Sequence, residues 1–313
     1  MKVLSLFDGI SCGQVALERA KIPVDTYYAS EIDRYAIQIT QKNYPDTIQL
    51  GDVSKLKGVK DIDLLIGGSP CQGFSKAGKQ LNFEDPRSKL FFEYVRILNE
   101  INPKYFLLEN VAMKKEYRDI ITGYLGVEPI TINSDMVSAQ HRNRLYWTNI
   151  PGVVPPKNKG VLLEDIIESG DVDKDKSYCI DANYFKGTNA KTYFCKSKRQ
   201  VVWVIPVATK KGYVEVSNGD CIDLTFIKSK TRRGRLMIEK SNCLTASPYN
   251  YCKVTNDWFR LLTPVECERL QTLPDDYTKG ISNTQRYKCL GNGWTVDVVA
   301  HIMRHIPAFE VSQ

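Results

Sequence analysis

At 313 residues, 42% apolar and 25% charged, the chain has an ordinary globular composition and enough length for about two domains; this excludes disordered, collagenous and coiled-coil classes. No apolar run approaches the roughly 18 residues of a membrane span, and Met1 to Phe7 leads into Asp8-Gly9 without a signal-peptide core, so a soluble, non-secreted, cytoplasmic chain is expected. The 9 cysteines form no CxxC pair and only 3 histidines occur, which fits reduced thiols and leaves little material for a histidine-centred triad or a metal centre.

In chain order, Val3 to Phe7 reads as a short buried strand and Gln14 to Ala20 as a helix behind a glycine turn. Thr26 to Ser30 is a second strand, and Asp33 to Asn43 a helix stopped by Pro45. Asp61 to Ile66 is a third strand; a helix follows with Leu90, Phe91, Tyr94, Val95 and Leu98 on one face, then the strand Tyr105 to Leu108. This alternation predicts an α/β fold with a parallel sheet covered on both faces, and a ligand site at the carboxyl ends of the strands. After Pro151 the texture changes. Residues 155–160 read as a linker, and beyond Asp181 the chain is β-branched, aromatic and glycine-punctuated. A catalytic and cofactor-binding domain is expected over 1–150 plus 286–313, with a smaller β-rich unit over 151–285. The apolar stripe Val296, Val299, Ile302, Met303 and Ile306 predicts a helix that docks back on the first domain.

The net charge of +7 is concentrated in the middle: residues 186–240 carry 13 Lys/Arg against 4 Asp/Glu, interleaved with aromatic side chains. Such a run is either a solvated basic surface or a polyanion-binding face.

Phe7-Asp8-Gly9-Ile10-Ser11-Cys12-Gly13 leaves a strand and opens a helix, where glycine lets backbone approach a ligand. It departs from GxGxxG, which lowers the case for a nicotinamide dehydrogenase. Glu31, at the end of the second strand, and Asp52, at the end of the next segment, suit the hydroxyls and amine of an adenosine, although either acid taken alone is more often a solvated loop residue. Gly67-Gly68-Ser69-Pro70-Cys71 puts a cysteine directly after a buried strand. A thiol with pKa ~8.5 is only a few per cent thiolate at neutral pH, yet remains the best ready nucleophile among side chains; the alternative is an inert buried cysteine. Glu109 ends the next strand and should face the same cleft, while Arg142 and Arg144, two residues apart on a strand, point the same way.

Phe7-Asp8-Gly9, Pro70-Cys71-Gln72, Glu109-Asn110-Val111, Gln140-His141-Arg142-Asn143-Arg144 and Gly291-Asn292-Gly293-Trp294 occur in the order and spacing of the DNA (cytosine-5) methyltransferase family, which the chain resembles from Val3 to Ile306. Leu6 to Ile10, Leu90 to Glu93 and Val137 to Ala139 look most like the catalytic domain of animal de novo DNA methyltransferases, whereas Pro70-Cys71-Gln72 and the basic insert look bacterial or phage-like. The resemblance implies a Rossmann-like methyltransferase sheet, S-adenosylmethionine as cofactor and double-stranded DNA as substrate. It implies neither metal nor obligatory protein partner, and a monomer is expected. Cys71 would attack C6 of a flipped-out cytosine, Glu109 would hold N3 and the exocyclic amine, and Arg144 would bind O2 with Arg142 supporting the pocket.

For the cofactor, the resemblance implies Phe7 against adenine, the loop Asp8, Gly9, Ile10, Ser11, Cys12 and Gly13 near the methionine part, Glu31 on the ribose and Asp52 with Val53 at the adenine amine. Ile32 and Leu90 would wall the ring, with Pro70 beside them, and Asn292, Gly293 and Trp294 would close the site. Ser11 and Cys12 replace the glycine pair of most bacterial relatives. DNA contacts are expected from Gln72, Ser75, Lys230, Arg232, Arg233, Arg235 and Thr245, with the arginines on phosphate or guanine. Cys243 stands where many relatives carry threonine. Three alternatives remain open: an RNA cytosine-5 methyltransferase, a catalytically dead binding module, and remotely a dehydrogenase.

Overall fold

The computed structural model describes residues 1–70, 89–188, 193, 199–214, 221–222, 231, 236–237 and 259–307. Its centre is a seven-stranded sheet of β1 (Lys2–Leu6), β2 (Thr26–Ser30), β3 (Ile48–Gln49), β4 (Leu64–Gly67), β5 (Tyr105–Val111), β6 (Ile130–Asn133) and β7 (Asn143–Thr148), in the order β3-β2-β1-β4-β5-β7-β6. The helices are α1 (Cys12–Arg19), α2 (Arg34–Asn43), α3 (Lys89–Ile101), α4 (Lys115–Leu125), α5 (Pro264–Leu270), α6 (Asn283–Asn292) and α7 (Val296–Met303).

Strand residues alternate between two cores, as the period of two requires. Val3, Leu64, Ile66 and Leu107 join the cluster under α1, α5, α6 and α7. Leu4, Leu6, Leu65 and Leu108 join Phe91, Tyr94, Ile97 and Ile121 of α3 and α4 on the other face.

The parallel sheet expected from the sequence needs one correction. β3, β2, β1, β4 and β5 are parallel, but β7 runs antiparallel to both β5 and β6. The link 134–142 holds only a 3₁₀ turn, Ser134–Met136, and is too short for the helical crossover that a parallel return needs.

The chain order switches between β1 and β4, so the crossovers leave these two strands in opposite directions and open a crevice at their carboxyl ends. The segment expected to be β-rich contains the helix α5, started by Pro264 and by a capping box in which Thr263 and Glu266 bond each other's backbone amides. Its Cys267 and Leu270 belong to the same core as α1. The C-terminal helix α7 docks on α1, with Arg19 on Asp297 at 2.7 Å. Among the described residues no helix is long and apolar enough to cross a membrane, and no cluster of metal-binding side chains occurs. His301 and His305 stack edge to face with centroids 5.0 Å apart.

Candidate active site

A cavity of about 570 Å³ opens at the strand switch, bordered by the carboxyl ends of β1, β2, β4 and β5 and by the turn Gly291 to Trp294. That size lies within the range of small-molecule sites. The loop after β1 supplies Phe7, Asp8, Gly9, Ile10 and Cys12 to its wall. Phe7 and Ser11 both take left-handed φ of 57°, unusual for residues with side chains. Gly9, at φ 61°, has nothing within 4 Å of where a Cβ would project, so backbone faces open space there.

Glu31 ties this loop to the next strand. Its carboxylate accepts from the backbone amides of Gly9 at 2.8 Å, Ile32 at 2.7 Å and Asp33 at 2.8 Å. Ile32 is 75% exposed on the rim, a large apolar side chain facing the opening. Asp52, Val53, Leu90 and Pro70 complete this side. Ser54 backbone and hydroxyl bonds hold the Asp52 carboxyl below the usual carboxylate range.

Asp8 accepts from the hydroxyls of Ser11 at 2.5 Å and Tyr27 at 2.8 Å. Burial raises its carboxyl to about 6 against these bonds, with nearby Glu31 adding to the rise. Burial likewise pushes the Cys12 thiol up to about 12.

Two of the expected cofactor residues stand behind the wall. Ser11 is fully buried, occupied with Asp8 and Gln14. Gly13 serves packing: a Cβ there would lie 2.5 Å from Ile66 Cδ1 and 2.7 Å from the Tyr27 hydroxyl. A side chain there would have to displace the Ile66 and Tyr27 side-chain ends.

At the other end of the cavity Glu109 and Arg144 meet, with Arg144 Nε 2.8 Å from Glu109 Oε1 and both side chains largely buried. Arg142 is deeper. Its guanidinium donates to the carbonyls of Ile180 at 3.1 Å, Gly291 at 3.3 Å and Gly293 at 2.8 Å, so it braces the wall that carries Asn292 and Trp294. Gly68 is the junction between the two ends. A Cβ on it would lie 2.9 Å from Trp294 Nε1 and 3.1 Å from Glu109 Oε2. Asn110 Nδ2 donates to Ser69 Oγ at 3.1 Å, fixing the turn that leads to Pro70.

Cys71, Gln72, Ser75, Lys230, Arg232, Arg233, Arg235 and Thr245 lie outside the described residues. Sequence reasoning missed Lys288, which lines the cavity and bonds Asp33 at 2.7 Å. Its signal was available, since Lys288 stands i,i+4 to Asn292 on one helix and so shares its face. It also missed the buried polar knot in which Gln140 Nε2 donates to Gln271 Oε1 at 3.0 Å and Thr295 Oγ1 to the same oxygen at 2.9 Å.

Comparison with known proteins matches this arrangement to one family. M1.ScrFI of Lactococcus lactis subsp. cremoris, a type II methyltransferase, is 29% identical over 95% of this chain and 76% of its own. The type II methyltransferase M.NlaX of Neisseria lactamica is 27% identical over 98% of this chain and 96% of its own. The structure of S. pombe Dnmt2 methyltransferase superposes with a TM-score of 0.62 at 18% identity, covering 97% of each chain, a likeness of fold. Residues 1–308 match the family model described as C-5 cytosine-specific DNA methylase, and the chain belongs to that family.

Proposed function

We propose that this C-5 cytosine DNA methyltransferase takes its methyl group from S-adenosylmethionine and delivers it to a cytosine flipped out of duplex DNA, through a covalent bond between Cys71 and C6. The observation that carries the reading is one cavity of about 570 Å³ lined both by the Glu109–Arg144 pair and by Phe7, Glu31, Ile32 and Asp52. The residues present fit the cofactor. Glu31 keeps one lone pair, on Oε2, for a ribose hydroxyl beyond its three amide bonds, exposed Ile32 offers an apolar face to adenine, and bare Gly9 leaves room for the methionine part. When bound, S-adenosylmethionine supplies an electrophilic methyl group.

The chain's own groups do the rest. The Cys71 thiolate adds to C6, and the C5–C6 electron pair moves toward C5 as Glu109 gives a proton to N3. Arg144, bonded to Glu109, orients that carboxyl and faces O2. Once C5 carries the methyl group its proton leaves to solvent, the double bond reforms, Cys71 departs as thiolate and N3 returns its proton to Glu109. Flipping costs a few kcal/mol of lost stacking and pairing, and phosphate contacts from Lys230, Arg232, Arg233 and Arg235, with Gln72, Ser75 and Thr245 near the target, offset it. The basic stretch then belongs to a recognition unit within 151–285, separate from the catalytic residues of 1–150 and 286–313.

Duplex DNA carrying 5-fluorocytosine tests the route. It should give a complex with the protein that survives denaturing gel electrophoresis and that Cys71→Ser abolishes, while label from S-adenosylmethionine enters duplex DNA. Label appearing in tRNA alone, or no trapping with any duplex tested, would overturn the proposal.

A further inference from the structure

The cavity has two walls contributed by distant parts of the chain, the turn after β2 and helix α6, and among the described residues an ion pair joins them. Lys288 Nζ of α6 lies 2.7 Å from Asp33 Oδ2, and both residues line the cavity. Asp33 is the N-cap of α2, its other oxygen accepting from the Tyr35 amide at 2.9 Å. It directly follows Glu31 and Ile32, and the Asp33 amide is one of three donors that fix the Glu31 carboxylate. Lys288 stands one helical turn before Asn292. The pair therefore links the turn that presents Glu31 to the helix that presents Asn292.

The outer end of α2 is joined to the same C-terminal segment by different bonds, from Lys42 to the Lys279 carbonyl at 2.9 Å and from Asn43 to the Tyr277 carbonyl at 3.1 Å. These hold α2 in place without the pair. What Lys288 adds is local to the cavity mouth.

We infer that Lys288 is a positioning residue for the cofactor: through Asp33 it sets the separation between the ribose-binding carboxylate and the Asn292 wall. This rests on the cofactor reading above. The Lys288 and Asp33 side chains are 46% and 27% exposed, so the bond adds little to the fold itself. Its effect belongs to the ligand, whose binding keeps the two walls at the spacing that the pair already imposes.

The test uses S-adenosylhomocysteine as the probe, with calorimetry, steady-state kinetics and thermal melting on the full chain. Lys288→Met should weaken binding and raise the cofactor KM by about threefold to fivefold, the range an exposed pair supplies, with kcat unchanged and the melting temperature within about 2 °C. Lys288→Arg keeps the cation and should restore binding. Asp33→Asn retains an oxygen for the Tyr35 amide and loses only the charge, so it should reproduce Lys288→Met, and the double variant should bind no worse than either single one. The difference from wild type should shrink in 1 M salt. Unchanged affinity in Lys288→Met, additive losses in the double variant, or a weakening matched by a large drop in melting temperature would each overturn the inference. A wild-type protein that fails to bind S-adenosylhomocysteine would instead sink the cofactor reading.

Discussion

Arg144 and Glu109 meet because one strand leaves the sheet where its neighbour enters. Glu109 is near the exit of β5, Arg144 near the start of antiparallel β7, and Val111 pairs with Arg144 across the register. Glu109→Gln keeps the shape and removes the transferable proton, so single-turnover methyl transfer should fall by about 10²–10⁴-fold. Cofactor affinity should stay unchanged. Transfer at the wild-type rate would remove Glu109 from the reaction.

Arg142 and Arg144 separate stability from chemistry. Arg142→Ala removes a charged donor from three buried carbonyls, of which that of Gly293 keeps Gln271 Nε2 at 3.2 Å, and should destabilise the protein by about 2–4 kcal/mol in urea melts. Arg144→Ala should slow methyl transfer with a much smaller loss of stability. Equal losses from both would contradict the bracing role given to Arg142.

Asp8 gives a stability effect with a defined pH window. Its carboxyl is raised to about 6 in the folded protein, above the unfolded value near 3.9. Between those values the folded state holds the extra proton, so its contribution is fully present below the unfolded value and lost as pH rises through about 6. Asp8→Asn, whose amide can still bond Ser11 and Tyr27, should therefore be more stable than wild type at pH 7, by up to about 3 kcal/mol. The advantage should vanish near pH 4. An advantage that grew toward acid pH would reverse the sign and refute the assignment.

Two helical glycines should respond oppositely to alanine. At Gly291 a Cβ would lie 2.2 Å from the Asp181 carbonyl carbon and 2.3 Å from the Ala182 nitrogen, so Gly291→Ala should cost on the order of 2 kcal/mol or more. At Gly123, inside α4, nothing lies within 4 Å, and Gly123→Ala should stabilise by about 0.5–1 kcal/mol. Chemical denaturation of both variants checks the contrast.

Most of the sheet was legible because its strands are buried on both faces and separated by helical periodicity; Thr26–Ser30 falls where the pattern puts it. The reversal of β7 was not read, since the side-chain pattern is the same either way and only the short 134–142 link dictates the direction. Helix α5 announces itself by Thr263-Pro264 and Glu266, a signal lost among irregular neighbours. In the site, strand-end residues such as Glu31 and Glu109 could be placed because a strand tip faces the crevice wherever its partners go. Lys288 could not be paired with Asp33, as 255 residues separate them.

The three carbonyls gripped by Arg142 belong to residues 180, 291 and 293, the last of them about 150 positions downstream. At roughly 5–20 residues per second of synthesis, the ribosome needs on the order of ten to thirty seconds to make that stretch. Through this interval the emerging chain already has Glu109, Arg142 and Arg144 but lacks the Gly291 to Trp294 wall that Arg142 will brace. Arg142 thus gains its last partner only after residue 293 has been made.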